Sequence, residues 1–126
     1  MEQRRAERYV IAESIAGKNR IGDAYCEFDF NETLRGRLVD MSLSGMGIVV
    51  DNLNGSALQE IKQQESFMIT IRVGADAFAA GVKSVWKQVL YESGNMILRC
   101  GVSIEIISDK DRLKLSEIIM KIRSAS

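Results

Sequence analysis

The sequence predicts a mainly β fold, a closed or partly closed antiparallel barrel of about six short strands with one amphipathic helix at its C-terminus. Three observations predict it. Short segments rich in β-branched and aromatic residues, several alternating with period two, follow one another from the polar head to about Ile107. Helical periodicity then takes over in "SDKDRLKLSEIIMKIRSAS", where Leu115, Ile118, Ile119 and Ile122 fall at i, i+3, i+4 and i+7. Third, the 126 residues hold no proline, no internal repeat and no low-complexity tract, so no linker marks off a second unit. The expected layout is one domain over residues 1–126, with an arginine-bearing head at 1–8, a barrel at 9–107 and a helix at 108–124.

Taken in order, "YVIAESIAG" alternates loosely enough for a short strand, and "KNRIGD" is rich in turn formers. "AYCEFDF" carries Tyr25, Phe28 and Phe30 and favours a strand, with "NET" as the connection to the next strand, "LRGRLVD". "GIVVD" is a short β-branched strand, and the polar "NLNGSALQEIKQQE" holds at most a helical turn in "ALQEIKQ". "SFMITIRVG" alternates cleanly and places Phe67, Ile69, Ile71 and Val73 on one face. "AFAAGVKSVWKQVLY" and "NMILRCGVSIEIIS" form a hairpin across "ESGN", with Gly94-Asn95 as the turn dipeptide. Ser108, followed three residues later by Asp111, reads as a variant capping box that opens the final helix, and Lys121 and Arg123 near its end suit the dipole.

Composition excludes several functions. With 17 basic and 17 acidic residues the formal net charge is zero, so the chain lacks the global positive field of a non-specific nucleic-acid binder. Aromatics at 6% are too few for the stacking platforms of a single-strand binder, and no DNA or RNA partner is expected. Histidine is absent, which removes Ser/His/Asp triads, Cys/His pairs and imidazole metal ligands. Cys26 and Cys100 form no metal-ligand spacing, and as both sit in strand-like segments they are expected to be buried, reduced thiols. No metal, no cofactor and no enzymatic activity is expected. No apolar run approaches a membrane span, and "MEQRRAERYV" is too polar for a signal peptide, so the expectation is a cytoplasmic protein without membrane insertion.

Two polar motifs stand out. Arg4-x-x-x-Arg8, with Arg5 inside it, precedes the first strand, and Asp40-x-Ser42-x-x-Gly45 ends a later one. Each has a plain structural reading. The arginines suit a solvated basic tail. In the second motif carboxylate and hydroxyl can bond local backbone amides while glycine relaxes a turn. The alternative is a small polar site on a sheet face, in which Ser42 shares the face of Asp40 by strand periodicity. Trp86 reads by type as barrel core or surface cover.

Together and in this order, "RRAER" and "DMSLSG" resemble the RxxxR and [DN]xSxxG signatures of the PilZ domain family. "GMGIVV", "GVKSVW" and "GVSIEI" fit the family's supporting positions, and the resemblance runs from Arg4 to about Ile122. One departure is Ile104, where the family often has an aromatic residue. The resemblance implies a six-stranded antiparallel β-barrel of the split-barrel Greek-key type with a C-terminal α-helix. It also implies a receptor for cyclic di-GMP that changes conformation on binding and signals through a downstream protein partner or a covalently linked effector domain. Arg4 and Arg8 would engage guanine edges, faces and phosphate, with Arg5 in support, as a guanidinium can fork, stack or pair. Asp40 would accept from guanine N1–H and N2, Ser42 would bond base or phosphate, Gly45 would leave room, and Trp86 would lie beside a guanine. A PilZ-like protein-interaction adaptor that binds no cyclic di-GMP is the alternative.

Overall fold

The computed structural model describes residues 24–30 and 34–124 with their side chains, and the backbone alone of 9–10 and 125. In chain order the described elements are β1 (Tyr9–Val10), β2 (Ala24–Phe28), β3 (Leu34–Met41), β4 (Gly45–Leu53), α1 (Gly55–Gln63), β5 (Ser66–Val73), β6 (Asp76–Glu92), β7 (Asn95–Ile106) and α2 (Asp109–Ala125). The segments "KNRIGD" and "NET", and most of "YVIAESIAG", lie outside the described residues.

Antiparallel pairing runs β3–β2–β5–β6–β7–β4 and returns from β4 to β3, so six strands close into a barrel with no free edge among them. β1 is an addition rather than a member of the ring. It pairs with the end of β3, Tyr9 opposite Met41 and Val10 opposite Asp40, beyond the point where β2 has left that edge.

Alternation fills the interior. On β5 the residues Ile69, Ile71 and Val73 are buried, as their spacing predicts, and Phe67 is partly buried beside Phe28 and Phe30 in a three-ring cluster with centroids 5.3–5.5 Å apart. Ile104 packs against the core in the position where an aromatic was expected. The helical stripe also holds: Leu115, Ile118, Ile119 and Ile122 are all buried. Ser108 Oγ accepts from the Asp111 N–H at 3.0 Å and donates to its carboxylate at 2.8 Å, which caps α2 as expected. Two further sets of bonds fix α2 to the start of β6. Asp111 accepts from the Ala79 N–H at 3.3 Å, and Asp76 takes Lys121 at 2.6 Å and Lys114 at 3.3 Å. The hydrogen bond from Lys121 holds the Asp76 carboxyl below the usual carboxylate range.

Two local readings are corrected. The stretch after β4 forms a nine-residue helix rather than a single turn. Asn54 caps it by accepting from the Ala57 N–H at 2.7 Å, Ala57 and Ile61 bury one face, and Lys87 donates to the Ile61 carbonyl at 2.9 Å. The β6–β7 turn dipeptide is Ser93-Gly94, since Asn95 already pairs with Glu92. Both residues adopt positive φ, 50° and 82°, as a type I′ hairpin demands.

Cys26 and Cys100 are free and buried in the barrel lining, on β2 and β7, strands that stand opposite each other in the ring. Burial pushes both thiols up, Cys100 to about 11 and Cys26 further, so neither supplies thiolate near neutral pH. Titration of the native protein with a chromogenic disulfide at pH 8 should therefore release no thiol signal within minutes. After unfolding in guanidinium, two equivalents should appear at once.

Candidate functional site

The Asp-x-Ser-x-x-Gly segment is built by a bulge and a turn, not by plain strand alternation. Leu38 pairs with Ile48 and Asp40 with Gly47, which leaves Val39 as the extra residue of a β-bulge. Leu38 and Met41, three apart, are consequently both buried, and Asp40 between them is turned to the outer face, half-buried. Without the bulge, strict alternation from Leu38 would send this carboxylate into the apolar interior.

Ser42 lies past the strand's end, and its hydroxyl does not share the face of Asp40. It is 1% exposed. Its Oγ accepts from the N–H groups of Ser44 and Gly45, both at 3.2 Å, while its own N–H donates to the Gly45 carbonyl at 2.9 Å. The hydroxyl thus closes the β3–β4 turn upon itself. Ser44, exposed, adds a tie to the barrel through its carbonyl, which accepts from the Ile104 N–H at 2.8 Å. Gly45 pairs with Ser103, and a side chain there would run into the Val102 carbonyl oxygen. The close approach that needs glycine at this position is therefore that of β7.

A second bulge mirrors the first. On β6, Ser84 pairs with Val102 and Trp86 with Gly101, so Val85 is the extra residue. Phe78, Ala80 and Val82 point inward, and strict alternation would have carried Trp86 inward with them. The bulge turns it out instead, leaving it 48% exposed as cover over the barrel surface. Its pyrrole ring lies on Gly101, with Cε2 2.8 Å from where a Cβ would stand.

These two re-aimed side chains end the same row. Asp40 pairs with Gly47, Gly47 with Gly101, and Gly101 with Trp86. The outer surface of β3, β4, β7 and β6 thus presents a glycine floor between a carboxylate and an indole. Asp40 folds over its end of that floor, its oxygens 3.0 and 3.1 Å from where a Gly47 Cβ would be. Gly47 and Gly101 are not legible in the sequence as parts of one surface; "GMG" and "CGV" show the glycines but not their register. Arg4, Arg5 and Arg8 lie outside the described residues. No cluster of potential metal ligands occurs among the described residues, and no described helix is long and apolar enough to cross a membrane.

Fold and site define a class: a small closed antiparallel barrel with a polar turn and a glycine-floored row on its outer face. The chain belongs to the PilZ domain family, whose pattern it matches over residues 2–121. Solved structures share the fold. The PilZ domain of YcgR from Escherichia coli, solved with c-di-GMP, is 22% identical with a TM-score of 0.63, covering 98% of this chain and 93% of that one. The complex of K. pneumonia MrkH with c-di-GMP is 12% identical with a TM-score of 0.71, covering 98% of this chain and 54% of that one. Borreliella burgdorferi PlzA in complex with c-di-GMP is 12% identical with a TM-score of 0.53, covering 81% and 46%. This chain thus spans about half the length of MrkH and PlzA. No protein of curated function matches it.

Proposed function

We propose that this chain is a cyclic di-GMP receptor module without catalytic activity. The observation that carries the reading is the pairing of β1. Tyr9 opposite Met41 and Val10 opposite Asp40 tie the chain that follows Arg8 directly to the Asp-x-Ser-x-x-Gly segment. The two signature motifs lie 32 positions apart from Arg8 to Asp40, and this pairing supports reading them as parts of one site. The neighbours solved with c-di-GMP support the same ligand.

In this reading Arg4 and Arg8 meet the guanine edges, faces and phosphates, and Arg5 assists. Asp40, on the outer face, accepts from the N1–H and N2 donors of a guanine, the donor pair that an acceptor-only carboxylate fits. Ser42 and Gly45 act by shaping the turn, with Ser42 free to reach the ligand only if that turn opens. Trp86 offers its outward ring to a base or sugar. Ligand binding draws residues 1–8 over the barrel, and the composite surface so formed is read by a partner protein or a linked effector domain. Residues 1–126 then act as one unit, the head at 1–8 serving the barrel at 9–107 and the helix at 108–124.

Trp86 is the only tryptophan of the chain, so emission reports on the site directly. Calorimetry with cyclic di-GMP should give saturable heat, and the same titration should shift Trp86 emission. No heat at high micromolar ligand would sink the receptor reading and leave the protein-binding adaptor.

A further inference from the structure

One pleat from the glycine row, about 7 Å along the strands, lies a second outer row. In pairing order it runs Arg72, Tyr25, Arg37, Val49, Arg99, Gln88. Its arginines differ in one respect. Arg37 donates to Asp51 at 2.7 Å, and that hydrogen bond holds the Asp51 carboxyl below the usual range. Arg72 reaches Glu27 at 3.1 Å, and the same carboxylate takes Arg35 at 3.5 Å, whose guanidinium lies 4.2 Å from the centre of the Tyr25 ring. Arg99 stands between Val49 and Gln88, exposed, and no carboxylate pairs with it among the described residues.

Its place in the register is specific. Leu98 and Cys100 point inward, so Arg99 leaves β7 on the outer face, two residues from Gly101. A cyclic dinucleotide brings two phosphodiester charges to a surface that already carries Asp40. In sequence, residues 4–8 precede β1, which pairs at the β3 side of the row. The β7 side lies two strands away, roughly 10 Å, and its nearest same-face cation along the strand is Arg99. We infer that Arg99 is a further binding residue of this site and contacts a phosphate of the bound dinucleotide. The inference rests on the receptor reading.

Four proteins test it by calorimetry with cyclic di-GMP at low and at high salt: wild type, Arg99→Gln, Arg99→Lys and, as a remote charge control, Lys110→Gln. Arg99→Gln should weaken binding about tenfold at low salt, the scale of one charge-assisted bond. The gap should narrow at high salt as screening sets in. Arg99→Lys should stay within about threefold of wild type, because a phosphate accepts a point charge. Lys110→Gln should bind as wild type, and all four should share one melting temperature. Equal affinity of Arg99→Gln and wild type overturns the inference alone. So does an equal loss in Lys110→Gln, which would be a net-charge effect, or a loss in Arg99→Lys as large as that in Arg99→Gln. Absence of heat with wild type overturns the receptor reading, and the inference with it.

Discussion

Replacing Arg8 by alanine should lower affinity for cyclic di-GMP by roughly 30- to 150-fold, the equivalent of about 2–3 kcal/mol for a lost charge-assisted pair, and leave the melting temperature within about 1 °C. The size follows from chemistry. A guanidinium that forks onto a guanine edge or a phosphate gives two parallel bonds that alanine cannot replace. The specificity follows from position. Arg8 directly precedes Tyr9 in the chain, and β1 pairs Tyr9 with Met41 and Val10 with Asp40. Stability should be spared because β2 onward and the helical stripe of α2 already supply an extensive buried core among the described residues. Arg8→Lys separates charge from geometry: it should recover only part of the lost affinity if the fork is used. Calorimetry beside thermal denaturation checks both halves. Arg8→Ala binding like wild type would mean that the roles given to the arginine head are wrong.

What the sequence made legible is what periodicity carries. The β5 face of Phe67, Ile69, Ile71 and Val73, the helical stripe from Leu115 to Ile122 and the Ser108 cap each follow from spacing over several residues. The two motifs were legible as patterns, and β1 pairs the chain that follows Arg8 with the end of β3 that carries Asp40. Three features were hidden, all for the same physical reason: they depend on one-residue offsets fixed by pairing partners elsewhere in the chain. Val39 and Val85 are ordinary strand residues by type, and nothing local marks them as bulged. Yet these two offsets decide that Asp40 and Trp86 face outward. The third is the alignment of Gly47 with Gly101, which exists only across the β4–β7 seam. The short α1 helix was underestimated because Ala57 and Ile61 give too brief a stripe to outweigh its polar neighbours.

The division of labour within "DMSLSGMG" can be tested by its two glycines, which should fail in opposite ways. At Gly45 a Cβ meets the Val102 carbonyl oxygen, with Ser103 Cα at 3.3 Å. That oxygen belongs to the backbone of β7, held by β4 on one side and by β6 on the other, and it has no rotamer to move into. Gly45→Ala should therefore open the β4–β7 seam beside the turn, costing about 2–3 kcal/mol and lowering the melting temperature on the order of 10 °C. At Gly47 a Cβ meets the Asp40 carboxylate at 3.0–3.2 Å, the end of a side chain that can swing outward. Gly47→Ala should cost less than about 1 kcal/mol of stability, since only that side chain must shift. Its effect should appear in binding, because the methyl group displaces Asp40 and raises the floor on which the ligand is proposed to rest. Thermal denaturation and cyclic di-GMP titration of both variants decide the matter. If Gly45→Ala keeps the wild-type melting temperature and loses only binding, this glycine makes room for the ligand rather than for β7.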